Sequence, residues 1–218
     1  MRHFFEELEG LRGKICEMAA LVKSSIHKSV LCLTERNPDL AEQVIRDEAV
    51  INRLEIAIDE LAIRLVSLNQ PVASDMRLLV AALKINTDLE RMGDLAMNSA
   101  RRALMLLEAP PIHPPVPMQA LSDLVEDMVD RSIKAFMEND ADAAKNVLLA
   151  DDQVDRLRNE IYENLSQRME EQSGLVRRAL GNMFIARNLE RIADHATNIS
   201  EDVIFLVRGV DVRHHSEV

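Results

Sequence analysis

The sequence of 218 residues contains no tryptophan, and aromatic residues make up only 3% of it. Glycine is scarce as well, with six residues, whereas leucine, alanine, isoleucine, glutamate, arginine and methionine are common. This mixture favours helices over sheets. We therefore expect an all-α fold.

Basic residues are too few to balance the acidic ones: 26 lysines and arginines face 37 aspartates and glutamates, giving a formal charge of −11. Nucleic-acid-binding proteins normally carry a basic stripe, so this balance argues against a nucleic-acid partner. It also argues against broad electrostatic docking on anionic lipid. Cation binding or a basic protein partner remains compatible with the charge.

Cysteines and long apolar runs are also lacking. Cys16 and Cys32 fall on one predicted helix, roughly 24 Å apart at 1.5 Å per residue, and cannot pair with each other. No run approaches 18 apolar residues, and the opening MRHFFEELEG is acidic where a signal peptide would be apolar. These features predict a reduced, soluble, cytoplasmic protein without a membrane span.

Proline is concentrated in one place: EAPPIHPPVP, residues 108–117, holds five of the seven prolines. Proline lacks a backbone donor and clashes with the preceding turn, so no helix crosses this stretch. We predict a first domain over residues 1–109, a semi-rigid linker over 110–117, and a second domain with a short polar tail over 118–218.

Weaker breaks divide the remainder into six long helical segments, predicted over 4–35, 38–68, 72–107, 118–138, 140–171 and 175–207. Asn37 before Pro38, and Asp140 in the second half, are typical helix caps. Apolar residues recur at helical spacing in the second, third and sixth segments. The residues of these stripes are Ile51, Leu54, Ile58, Leu61 and Leu65, then Ile85, Leu89, Met92, Ala96 and Ala103, then Ile185, Leu189, Ile192, Ala196, Ile199 and Val203.

The chain contains an internal repeat. LERMGDLAMN begins at Leu89, and LERIADHATN begins one hundred residues later, with six of ten positions identical. Upstream the match continues at an offset of 103, where INRL at 51–54 meets VDRL at 154–157. The sequence therefore predicts two tandem, pseudo-symmetric three-helix bundles.

Each repeat places two carboxylates one helical turn apart: Glu90 with Asp94, and Glu190 with Asp194. Both pairs lie off the apolar stripe, so they are predicted to face outward. One such pair is usually a solvated acidic surface. His195, which follows Asp194, is interpreted as an ordinary surface histidine.

A second pair on the preceding helix changes this interpretation. The later half offers Asp151 and Asp155, and the aligned residues of the earlier half are Glu48 and Asn52. Glu55 and Asp59 continue the same stripe in the earlier half. Antiparallel packing could bring these residues beside the repeated pairs, and such a cluster would need a cation. Oxygen ligands suit Mg²⁺, Ca²⁺ or Mn²⁺, and bridged clusters of iron or zinc.

The duplicated LER-x-x-D segment, with Arg77 and Arg177 before it, resembles the PhoU family of phosphate-uptake regulators. The resemblance covers about residues 5–207 and implies a cytoplasmic, often dimeric protein with two symmetric helical bundles. It implies a regulator that restrains the phosphate-starvation response by acting between a phosphate ABC transporter and a membrane sensor kinase.

The resemblance also implies multinuclear metal clusters on the paired acids. The ligands carried over are Asp151, Asp155, Glu190 and Asp194 in the later half, and Glu48, Glu90 and Asp94 in the earlier half. Asn52 departs from the acidic pattern, so we expect metal occupancy to favour the later site.

Two other functions are alternatives to this one. A ferritin-like di-iron enzyme needs inward-facing Glu-x-x-His pairs, and the sequence contains none. It also lacks a glycine-rich phosphate loop and a nucleophile elbow, so we expect no enzyme. The other alternative is a metal-free helical adaptor whose acidic faces bind a partner.

Overall fold

The computed structural model describes residues 2–69 and 71–212, and all the regular secondary structure within them is helical. The first half forms α1 (Arg2–Thr34), α2 (Pro38–Asn69) and α3 (Ala73–Leu107). The second half forms α4 (Met118–Glu138), α5 (Ala141–Leu148), α6 (Asp151–Glu171), a 3₁₀ turn (Ser173–Leu175) and α7 (Val176–Arg208). The prediction of an all-α fold with two similar helical halves is confirmed.

The fifth predicted helix, over 140–171, is divided in two. Its break is a tight turn, in which the amide of Ala150 donates to the carbonyl of Val147 at 3.0 Å, and the amide of Gln153 donates to the carbonyl of Ala150 at 3.0 Å. No glycine or proline lies between Leu148 and Asp151, so composition does not predict this break. Because of it, α6 begins at Asp151 and exposes its N-terminal amides there.

Two helix starts follow from side-chain caps, as predicted. The Asn37 side chain accepts a hydrogen bond from the amide of Asp39 at 3.1 Å, at the start of α2. Asp140 accepts from the amides of Asp142 and Ala143, at 3.0 and 2.9 Å, at the start of α5. Each cap satisfies amides that have no partner inside the helix.

The three predicted apolar stripes are buried. Every residue named for them is no more than 9% exposed, and together they form the centre of a continuous core. Cys32 joins this core while Cys16 is exposed on the same helix, and both thiols are free.

The core extends across the two halves. Helix α3 packs on α1 and α2 of its own half and on α7 of the other, while α1 also contacts α4. A buried hydrogen bond from Asn188 to the Ser99 hydroxyl, at 3.0 Å, joins α7 to α3. Arg12 of α1 donates to the carbonyl of Phe136, at 3.0 Å, near the end of α4. The division into domains over residues 1–109 and 118–218, joined by a linker over 110–117, stays a prediction.

Helices α3 and α7 approach each other closely near Gly181. A Cβ added at Gly181 would lie 2.7 Å from Cδ2 of Leu106, so the leucine side chain occupies the space above the glycine. The small residue therefore lets the end of α3 lie against the start of α7.

The proline-rich linker is not helical between α3 and α4, as predicted. Arg36 of the first half donates to the carbonyl of Leu107, where α3 ends, at 2.7 Å, and Arg178 of the second half donates to the carbonyl of Pro110 in the linker at 2.9 Å. Residues 213–218 of the predicted polar tail lie outside the described residues. No helix in the described ranges is both long and apolar enough to cross a membrane.

Candidate metal centre

Four of the predicted ligands meet where α6 packs on α7. Asp151 is the first residue of α6 and Asp155 lies one turn later, while Glu190 and Asp194 lie one turn apart on α7. The Tyr162 hydroxyl donates to the carbonyl of Met183 at 3.0 Å further along the same helix pair. The α6–α7 packing thus brings both acidic pairs of the later half together.

The pKa values of these carboxyls show that the four side chains share one region. Burial, followed by the negative charges of Asp194 and Asp155, raises the pKa of Asp151 to about 6. The pKa of Glu190 is raised by burial and then by Asp194, and the pKa of Asp194 by partial burial and then by Asp155. Each shift means that the ionised form lacks sufficient compensating positive charge.

Several positive side chains compensate part of this charge, and Arg158 makes direct hydrogen bonds to the cluster. The Arg158 guanidinium donates to Asp155 at 3.1 Å and to Glu190 at 3.3 Å, which links α6 to α7. It also lies 5.6 Å from the centroid of the Tyr162 ring. Its hydrogen bonds do not reach Asp151 or Asp194, although its charge lowers the pKa of Asp194.

The earlier half forms a smaller cluster on α2 and α3. Burial and the charge of Asp94 raise the pKa of Glu90, whereas the adjacent Arg91 lowers it and Glu55 raises it again. Arg91 lies 3.3 Å from a Glu90 oxygen and 3.8 Å from an Asp94 oxygen. The carboxylates of Glu90 and Asp94 therefore lie close to each other on α3, and Glu55 of α2 lies near Glu90.

Glu48 is half-buried on α2, and no hydrogen bond or ion pair within the described part of the chain joins it to Glu90 or Asp94. The structure places Glu55 of α2, rather than Glu48, in electrostatic contact with Glu90. Asn52 is exposed between them on the helix. The assignment of Glu48 as a ligand stays a prediction.

Sequence reasoning placed Glu55 on the acidic stripe but missed Arg158, the corresponding residue of the later half. They are 103 apart, the offset that aligns the second helices of the two halves. The earlier half has a carboxylate at this position, whereas the later half has a guanidinium. Comparing charges along the repeat at this offset would have revealed the difference.

The donor set fits a hard cation. Partly buried, mutually repelling carboxylates with raised pKa values gain when a cation replaces protons as their counter-charge. Across residues 2–69 and 71–212, no group of three or more Asp, Glu, His or Cys side chains is arranged so that it could hold a metal ion as it stands. Arg158 would have to release Asp155 and Glu190 before both could bind metal.

His195 is not an ordinary surface histidine. Its side chain is 18% exposed, and Nδ1 lies 2.8 Å from an oxygen of Asp88 on α3. Lys84 and Asp202 form a second link between α3 and α7 at 2.7 Å. These polar contacts hold the helix that carries Glu190 and Asp194 against the helix that carries Glu90 and Asp94.

Both halves of the chain match the PhoU domain, over residues 15–103 and 118–203. The chain therefore belongs to the PhoU family, and its two pseudo-symmetric halves are two copies of that domain.

Related sequences and a solved structure match this chain over nearly its whole length. A phosphate-specific transport system accessory protein PhoU homologue from Aquifex aeolicus is 40% identical, over 96% of this chain and 95% of its own. One from Zymomonas mobilis subsp. mobilis is 39% identical, over 96% of this chain and 88% of its own. The crystal structure of PhoU from Pseudomonas aeruginosa superposes with a TM-score of 0.91 at 38% identity, over 95% of this chain and 100% of that chain.

Proposed function

We propose that this protein is a phosphate-transport accessory protein that regulates phosphate uptake and restrains the phosphate-starvation response. The observation that carries the proposal is the match of both halves to the PhoU domain, together with full-length relatives named as accessory proteins of phosphate-specific transport. It acts without catalysing a reaction, as a cytoplasmic homodimer, by contacting a phosphate ABC transporter and a membrane sensor kinase.

Deletion of the gene tests this function. Phosphate-starvation genes should be expressed in phosphate-rich medium in the deletion strain, and a plasmid copy of the wild-type gene should restore repression. Repression that persists after deletion, in cells with an intact transporter and sensor kinase, contradicts the proposal.

We propose further that the acidic clusters bind a multinuclear metal centre of iron or zinc, with magnesium, calcium or manganese as alternative ions. Asp151, Asp155, Glu190 and Asp194 would hold it in the later half, and Glu48, Glu90 and Asp94 in the earlier half. The bound cation would neutralise the repulsion that raises the pKa values of Asp151 and Glu190. In this way it would stabilise the α6–α7 contact.

Elemental analysis of protein purified without chelator tests the metal centre. Asp194→Ala should lose most of the metal of the later site, whereas Asp152→Ala, an exposed neighbour of Asp151, should retain it. Asn52→Asp should strengthen binding at the earlier site. Full metal content in Asp194→Ala contradicts the ligand assignment.

The second candidate is a metal-free adaptor, and Arg158 favours it. An arginine that already pairs with Asp155 and Glu190 stabilises the later cluster without metal. Wild-type protein that stays metal-free at near-physiological metal concentrations, yet restores repression in the deletion strain, supports this alternative.

A further inference from the structure

The start of α7 exposes a row of large apolar side chains. Val176, Leu180 and Phe184 follow one another at intervals of one helical turn, and are 39%, 55% and 38% exposed. Met105, near the end of α3, is 61% exposed. The close approach of α3 and α7 at Gly181 brings these two helix segments side by side. A continuous exposed apolar surface of this kind marks an interaction site more often than single exposed residues do.

Arginines surround this apolar surface. The Arg102 guanidinium lies 4.6 Å from the centroid of the Phe184 ring, which fixes both side chains across the helix pair. Arg101 precedes Met105 by one turn on α3, and Arg187 follows Phe184 by about one turn on α7. Both are exposed, and no ion pair is formed by either within the described residues, although the charge of Arg187 lowers the pKa of Glu190 one turn further along α7. We call this surface the basic apolar face; its residues are Met105, Val176, Leu180, Phe184, Arg101, Arg102 and Arg187.

The internal repeat provides a matched surface of different charge. At the offset of one hundred, Met76 and Val80 on α3 correspond to Val176 and Leu180, and each is 38% exposed. The residues that correspond to Arg101 and Arg102 are Glu201 and Asp202. The apolar positions are thus shared by both ends of the α3–α7 pair, while acidic residues stand at the other end in place of Arg101 and Arg102.

Charge decides which partner fits the basic apolar face. Charges are screened beyond about 8–10 Å at physiological ionic strength, so a helix about 10 Å wide experiences mainly the local arginines. A membrane surface, by contrast, extends over a large part of the protein. Because the net charge of the protein is −11, an anionic bilayer is repelled. The apolar side chains of this surface lie one turn apart, and an amphipathic helix presents its own apolar side chains at the same spacing.

We propose that the basic apolar face binds an acidic amphipathic helix of a partner protein. The apolar side of that helix covers Leu180, Phe184 and Met105, and its acidic flanks pair with Arg101 and Arg187. This inference rests on the proposed function as a regulator that acts through protein contacts, and it identifies the surface that makes one of those contacts.

Binding of a fluorescent synthetic peptide tests the surface directly. The peptide is a helix of about 20 residues with leucines along one side and glutamates on both flanks, and a scrambled peptide of the same composition is the control. Binding to the full-length wild-type protein, followed by anisotropy, should weaken with salt. Leu180→Glu and Arg101→Glu should each weaken it about tenfold or more. Val80→Glu, the matched substitution at the other end, should leave binding unchanged. Circular dichroism confirms that each variant is folded.

Several results overturn the inference. These are absence of peptide binding by the wild type, equal binding of the scrambled peptide, and equal effects of Leu180→Glu and Val80→Glu. Stronger binding of wild type than of Leu180→Glu to vesicles of phosphatidylcholine and phosphatidylserine would identify a membrane as the occupant. A change from dimer to monomer in Leu180→Glu alone, measured by sedimentation, would identify a second copy of the chain.

The deletion strain separates this inference from the proposed function. If wild-type protein restores repression, Leu180→Glu should fail to do so while Val80→Glu succeeds at equal abundance. Full repression by Leu180→Glu overturns the inference and leaves the proposed function intact. Failure of the wild type itself contradicts the proposed function, and the peptide measurement then decides whether the surface binds helices.

Discussion

At the scale of single residues, Asp151 experiences opposing effects. As the first residue of α6 it lies beside free helix amides and the positive end of the helix dipole, which favour its ionised form. Burial and the neighbouring carboxylates Asp194 and Asp155 oppose ionisation more strongly, and the pKa of Asp151 rises to about 6. At neutral pH, and without a bound cation, Asp151 is therefore ionised. This ionisation lowers the free energy of unfolding.

Asp151→Asn should stabilise the metal-free protein by about 1 kcal/mol at pH 7.5, after allowance for the solvent screening of a partly exposed group. Because the folded pKa lies above the ordinary value of 3.8, protonation favours the folded state, and this contribution is lost as the pH rises through about 6. The advantage of the variant should therefore shrink as the pH falls below about 6, and it should disappear only below 3.8, where Asp151 is protonated in the unfolded chain as well.

Urea unfolding in the presence of chelator measures this effect. Asp152→Asn is the comparison: Asp152 is exposed in the same helical turn, and its charge raises the pKa of Asp151 less than the charges of Asp194 and Asp155 do, so its effect should be smaller. A stability difference for Asp151→Asn that does not change with pH would show that repulsion in the cluster is not its cause.

Arg158 should compete with any cation for Asp155 and Glu190. Arg158→Met removes the guanidinium and keeps most of the apolar stem, so divalent cations should bind the later cluster about tenfold more tightly, or about 1.4 kcal/mol. The metal-free variant should be less stable than wild type, since two carboxylates lose their partner. Isothermal titration calorimetry measures the Mn²⁺ affinity of Arg158→Met. The control is Arg156→Met, because Arg156 is exposed on the same helix. Weaker Mn²⁺ binding by Arg158→Met would contradict competition.

At the scale of the helices, glycine has opposite consequences at two positions. Gly13 lies within α1 with open space around it, so Gly13→Ala should stabilise the protein by about 0.5–1 kcal/mol through helix propensity. Gly181→Ala brings the same propensity gain but forces Leu106 to move, so its net effect should be smaller or destabilising. Thermal unfolding of both variants measures the difference. Equal stabilisation would show that Leu106 can move at little cost in free energy.

Most helix boundaries were predictable, because they depend on local signals. Asn37 and Asp140 cap helices with their own side chains, and the proline-rich linker ends α3. The turn between α5 and α6 was not predictable, since Leu149 and Ala150 are compatible with a continuous helix and no local residue breaks it.

The candidate site was predictable in part, since acids four residues apart necessarily share a helix face. Which helices meet depends on long-range packing, so the pairing of Arg158 with Glu190 and the contact of His195 with Asp88 did not follow from periodicity. The same limit applies to Glu48, whose helix face alone did not determine its neighbours.

At the scale of the whole molecule, the two halves share one core even though each is a complete copy of the repeat. We therefore predict a single cooperative unfolding transition rather than two. The single tyrosine, Tyr162, reports on the second half by fluorescence, and circular dichroism reports on all helices. The two urea curves should coincide. A tyrosine transition at a different urea concentration would show that the halves unfold separately.

The central position of α3 and α7 determines which amide protons exchange slowly with solvent. Amides around Leu89–Ala96 and Leu189–Ala196 lie on the two helices that both halves cover, so deuterium should reach them only when the entire chain opens. The eight-residue α5 closes few backbone hydrogen bonds and ends in the turn at Leu149 and Ala150, so we expect it to open alone. A deuterium map would thus show the repeat as asymmetric: two equally protected segments one hundred residues apart, and one early-exchanging segment, at 141–150, without a counterpart in the first half.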